Sequence, residues 1–139
     1  MVHRDLVGRK VARARAWLSD AAGRLDHPRN EFLANAELRD LATFYLFLAM
    51  QESIDLAAHW ASDEGWEPAD DAAGTFEVLA RHQAISPELA GQLRQMVHLR
   101  NRIAHGYATV DHARLHEESS AAIASLRAFL IRISDAAGL

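Results

Sequence analysis

The chain has 139 residues, half of them hydrophobic and 24% charged, with a formal net charge of −4. That length and mixture describe one globular domain spanning residues 1–139, large enough to bury roughly two-thirds of its unfolded surface without a disulfide or a metal. The absence of cysteine removes disulfides, thiolate nucleophiles and zinc–thiolate sites and fits a reducing cytoplasm, while the net acidity excludes a whole-protein electrostatic grip on nucleic acid.

The N-terminus, MVHRDLVGRKVARARAW, is basic but lacks the apolar core and cleavage site of a signal peptide. Val7, Val11, Ala14, Leu18, Ala21 and Leu25 form a heptad stripe, which predicts a first helix from about Arg4 to Leu25. Pro28 breaks it. A long second helix is predicted from about Glu31 to Ser62. Its segment LATFYLFLAM (41–50) is apolar nearly all round, too short for a membrane span, and therefore marks a central core helix that also forms a dimer seam. Gly65, Pro68 and Gly74 predict a loop over 63–74, followed by a short helix near Thr75–Gln83. Ser86 and Pro87 read as N-cap and first residue of a fourth helix running to about Ala104, with Gly106 as its stop signal. A fifth helix is predicted from about Asp111 to Ala136. No period-2 alternation is flanked by turn signals, so the expected fold is an all-α bundle of five helices with a long central second helix.

Charge is unevenly spread. Between Glu88 and Asp111 there is no acidic residue, where the chain average leads one to expect roughly three. The window holds Arg94, Arg100, Arg102, His98 and His105, which describes either a local anion site or a cationic helix end complementing the macrodipole. At 100° per residue, Leu89, Leu93, Met96, Val97, Leu99, Ile103 and Ala104 fall in one apolar arc, and Arg100 falls inside it. A guanidinium there must meet a carboxylate, a partner chain or a ligand. Arg100 and His105 point roughly 140° apart on an ideal helix. They converge only if the helix ends between them or if two copies face each other across a two-fold axis; otherwise Arg100 is a structural ion-pair member and His105 an exposed loop residue. Glu52, Asp55 and His59 continue the line of Leu41 and Leu48 on the second helix, so either Glu52 and Asp55 are carboxylates that orient Arg100 or His105, or this end emerges into solvent with Asp55 and His59 as a surface pair. His112 and His116 have i, i+4 metal-ligand spacing but no further ligand at a telling distance, so no metal or cofactor is expected.

The stretch RNRIAHGY (100–107) fits R-x4-H-x-Y with Asn101 after the arginine. It resembles the HepT-like branch of the HEPN superfamily, the ribonuclease toxins of bacterial toxin–antitoxin pairs. The flanking segments ESIDLAAHWASDEGWEP (52–68) and FEVLARHQAISPELAGQLRQMVHLRNRIAHGYATVD (76–111) resemble that family too, so the similarity covers roughly residues 31–111. The resemblance implies a homodimeric helical domain whose two motif copies line one cleft, and metal-independent cleavage of RNA. It implies Arg100 and His105 as catalytic, with Asn101 and Arg102 beside them. Tyr107 would be the tyrosine that a cognate MntA-like nucleotidyltransferase antitoxin modifies with AMP. The alternative is a non-catalytic interaction module that binds a nucleotidyltransferase or a nucleotide. The distinguishing feature is whether the intact Arg100 and His105 support cleavage.

Overall fold

The structure is a computed structural model that describes residues 3–139. Its elements are α1 (Arg4–Leu25), α2 (Arg29–Ala34), α3 (Ala36–Asp63), α4 (Ala72–Arg81), α5 (Pro87–His105), a 3-10 turn (Tyr107–Thr109) and α6 (His112–Ala136). Among the described residues there is no strand, and no helix is long and apolar enough to cross a membrane.

The α1 stripe behaves as its periodicity requires. Its six members are the buried residues of that helix, and they lie against α3, the most extensive helix pair in the fold. The two helices run antiparallel, with His3 near Asp63, Arg13 near Glu52 and Arg24 near Tyr45. α3 buries residues on several sides, including Leu46, Met50, Leu56 and Trp60. Each such aliphatic side chain contributes about 1.5–3 kcal/mol of apolar burial. α4, α5 and α6 close the bundle, and Phe129 of α6 meets Phe76 edge-on at 5.3 Å and Trp60 at 6.3 Å.

The expected second helix is two helices. Asn35 leaves helical geometry (φ −111°, ψ 104°) and caps α3, its side chain accepting from the Leu38 amide at 3.0 Å. Asn is among the strongest N-caps, and here the cap wins over continuation of the helix. Arg39 donates to the Leu33 carbonyl at 2.6 Å, which satisfies an acceptor freed by the break. α2 is held by Phe32, fully buried and packed against the His116 ring. The short fourth element also begins earlier than expected, because Asp71 caps it by accepting from the Gly74 amide at 2.7 Å. Gly74 thus lies inside a first helical turn instead of in a loop. The Ser86 cap occurs where expected, accepting from the Leu89 amide, and Asp111, the expected start of the last helix, proves to be its cap, accepting from the Arg114 amide.

The face of α3 carrying Leu41, Phe44, Leu48, Gln51 and Asp55 remains partly open, with Phe44 44% exposed. These positions follow a 3–4 spacing, so they form one stripe. α1 borders it on one side and α5 on the other.

Candidate functional site

α5 buries Leu89, Leu93, Met96, Val97, Leu99 and Ile103. Ala104, expected in this arc, is exposed, although its neighbour Ile103 is buried. Arg100 lies on the buried side and is itself half-buried. Its Nη1 donates to Oε1 of Gln51 on α3 at 3.2 Å, and its Nε is buried without an acceptor. A buried guanidinium nitrogen left unpaired costs about 1–3 kcal/mol, so this arginine is poorly served by its own chain.

Neither of the expected carboxylates bonds Arg100 directly. Asp55 lies one step removed, accepting from the Gln51 amide at a long 3.4 Å. Glu52 faces elsewhere: it is buried, accepts from Lys10 Nζ at 2.7 Å and from Arg13 Nε at 3.0 Å, and so belongs to the α1–α3 seam. The reason is rotation. One residue beyond Gln51, the helix has turned 100° from the α5 side to the α1 side. Burial alone would raise the Glu52 pKa, but the bonds and charges of Lys10 and Arg13 prevail and hold it below the ordinary value. Gln51 was missed as a site residue because it bears no charge. The signal available was its place between Leu48 and Asp55 on the i+3, i+4 line.

The other members of the motif diverge. Arg102 is exposed and paired with Glu118 of α6, which also accepts from Arg114 at 2.7 Å. Arg94 is paired with Glu77 of α4. Of the three arginines in the acid-free window, Arg100 is therefore the one met only by a neutral amide. Asn101 is half-buried beside it. His105 is exposed in the last turn of α5 and has no hydrogen-bond partner among the described residues. The helix continues through His105, so it does not end between Arg100 and His105, and the first of the two routes to their convergence is closed.

Beyond His105, Gly106 ends the helix with its amide directed at the Arg102 and Ile103 carbonyls. A side chain at Gly106 would come within 3.2 Å of Thr109 Oγ1, so close approach, rather than a left-handed backbone, favours glycine there. The resulting 3-10 turn presents Tyr107, 49% exposed. Partial burial and the Asp40 carboxylate push the Tyr107 phenol above its ordinary pKa. His112 stands 3.9 Å from the same Asp40, whereas His116 bonds the His27 carbonyl at 2.8 Å, so the i, i+4 histidines serve different contacts. A groove of about 640 Å³ lies between α5 and α6 beside His98, Arg102 and Glu118, away from the Arg100 face.

Solved structures share this helical bundle. A HEPN toxin of Shewanella oneidensis, tri-AMPylated and in complex with an MNT antitoxin, superposes with a TM-score of 0.81 at 19% identity, over 96% of this chain and 99% of that one. A MntA–HpeT toxin–antitoxin carrying a tyrosine-to-alanine mutation gives 0.82 at 19% identity, over 93% and 98%. A toxin–antitoxin structure with AMP-PNP gives 0.78 at 19% identity, over 94% and 99%. No curated protein matches the sequence. The family model described as "Ribonuclease HepT-like" matches residues 18–133. The chain belongs to the HepT-like ribonuclease family.

Proposed function

We propose that the protein is a metal-independent RNA endonuclease, the toxin of a toxin–antitoxin pair, acting as a two-fold dimer with Arg100 and His105 in one shared cleft. The observation that carries this is Arg100: a permanently charged fork on the open face of α3, with a single neutral partner and an unpaired Nε. Such a group suits a phosphate, whose oxygens accept from a guanidinium in pairs. The half-open Leu41, Phe44 and Leu48 stripe offers an apolar seam to a second copy. A two-fold arrangement on that seam would bring His105 of one copy toward Arg100 of the other.

The chemistry needs only these groups and RNA. An imidazole takes the proton from a ribose 2′-hydroxyl as the oxygen attacks the adjacent phosphorus. The bond from phosphorus to the 5′-oxygen breaks, and that oxygen receives a proton from the second imidazole of the dimer. The products are a 2′,3′-cyclic phosphate and a 5′-hydroxyl end. Arg100 stabilises the added negative charge on the phosphorane. Tyr107, exposed two residues beyond His105, is the acceptor for AMP from a cognate MntA-like nucleotidyltransferase. The similar Shewanella oneidensis toxin, tri-AMPylated and in complex with its antitoxin, supports that assignment. The added bulk and negative charge repel substrate phosphates from the cleft.

The test is cleavage of total RNA by purified protein in EDTA beside its His105→Ala variant. Cleavage by the wild type alone is expected. Equal cleavage by both removes His105 from the mechanism. No cleavage by either, with an intact mass showing an unmodified chain, favours the non-catalytic module that binds a nucleotidyltransferase.

A further inference from the structure

Two cationic stretches of this acidic chain, remote in sequence, border the same face of α3. Residues 1–15 carry Arg4, Arg9, Lys10, Arg13 and Arg15 against one acid, Asp5, and residues 89–110 carry no acid at all. One turn of α3 joins them: Gln51 takes Arg100 from α5, and the next residue, Glu52, takes Lys10 and Arg13 from α1. Two cations on one carboxylate leave an excess positive charge on the α1 side, level with the uncompensated Arg100.

Arg13 keeps unused donors at the surface. It engages Glu52 through Nε alone, its side chain is 52% exposed, and its terminal nitrogens have no partner among the described residues. Its guanidinium lies over the ring of Trp17, 5.7 Å from the centroid, and Trp17 is itself half-buried against the core with its remaining edge at the surface. A forked cation beside an indole plane is what single-stranded nucleic acid uses: phosphate on the fork, base on the flat surface. Arg24 over Tyr45, at 5.0 Å, has similar geometry but lies 3.6 Å from the Asp20 carboxylate and bonds the Asp20 carbonyl, so its charge is locally balanced.

We infer that Arg13 and Trp17 form an RNA subsite on α1, where Arg13 holds a backbone phosphate and Trp17 stacks a base of the single strand whose scissile phosphate lies at Arg100. The assignment rests on the proposed ribonuclease activity. It accounts for the cationic half of α1, which the catalytic motif leaves unused. It also gives Glu52 a role, since the carboxylate fixes Arg13 by Nε and turns its fork outward.

The experiment measures binding of fluorescent single-stranded RNA of about 4 and about 12 nucleotides, lengths bracketing common single-strand site sizes, to full-length His105→Ala protein. Arg13→Gln and Trp17→Leu are each added to that background. Gln at position 13 retains an amide donor for Glu52, and Lys10 remains in place, so the seam survives. Arg24→Gln is the control, and thermal unfolding verifies folding of each. The ratio of long-RNA to short-RNA affinity is expected to fall about tenfold in both subsite variants, the effect of losing one stacked base or one phosphate contact, and to stay unchanged in the control. Arg13→Gln also lowers the salt dependence of long-RNA binding by about 0.7 in log–log slope. An unchanged ratio in both subsite variants overturns the subsite even if wild-type protein cleaves RNA. Weaker binding of a purified nucleotidyltransferase partner with an unchanged RNA ratio overturns it too, and reassigns the face to that protein. A wild type that neither binds nor cleaves RNA overturns both the subsite and the activity on which it rests.

Discussion

Arg100→Met separates a structural arginine from one held for a phosphate. In the folded chain, the unpaired buried Nε costs about 1–3 kcal/mol, and Nη1 recovers part of this through one 3.2 Å bond to Gln51. That bond contributes about 1 kcal/mol, and half-buried Gln51 can instead bond water or Asp55 once Arg100 is gone. Methionine fills much of the same volume with no polar atom to desolvate. The net expectation is a gain of about 1 kcal/mol, or about 3–4 °C in Tm for a domain of this size. Cleavage should fall by about 10²–10³, the range for losing one charge-stabilising donor in a transition state. Circular dichroism melts and RNA cleavage by the same preparation read both quantities. A lower Tm in Arg100→Met would show that the arginine serves the fold, and would refute the argument from its unpaired nitrogen whatever the activity.

Phe44→Glu places a charge on the open α3 stripe, and light scattering should then report a monomer in place of a dimer, with cleavage lost; an unchanged mass would move the seam elsewhere. The depressed pKa of Glu52 means that its contribution is present above its ordinary value of 4.5 and disappears as pH falls through the lower folded value. The wild-type Tm should therefore drop with acidification below about 4.5, and Glu52→Gln, about 1–2 kcal/mol less stable at pH 7, should show a shallower drop, as a melt series in pH will measure. Some slope will remain, because Glu67, with a pKa lowered to about 2 by its His82 and Arg81 contacts, acts in the same direction. Asn35→Ala removes the α3 cap and should lower stability by about 1 kcal/mol in a denaturant titration, with little effect on cleavage per folded molecule.

Local features were legible in the sequence because their causes are local. The α1 stripe follows from periodicity, the Ser86 cap from a side chain that bonds an amide three residues on, and the R-x4-H-x-Y stretch from adjacency alone. The Asn35 break was local too, yet two signals competed there: continuous apolar periodicity for one long helix, and an asparagine able to start a new one. The cap prevailed, helped by Arg39 reaching the freed Leu33 carbonyl. Periodicity and near neighbours in the chain thus specify the helices, most of their ends, and an arginine on an apolar side that demands an explanation. Which groups answer that demand depends on contacts between distant segments. Gln51 meets Arg100 across 49 residues of chain, while its neighbour Glu52 turns to Lys10 and Arg13, 42 and 39 residues away. A single residue's 100° rotation on α3 divides the two contacts, and no pattern in the chain sets that angle relative to α1 and α5. It is set by how the helices pack.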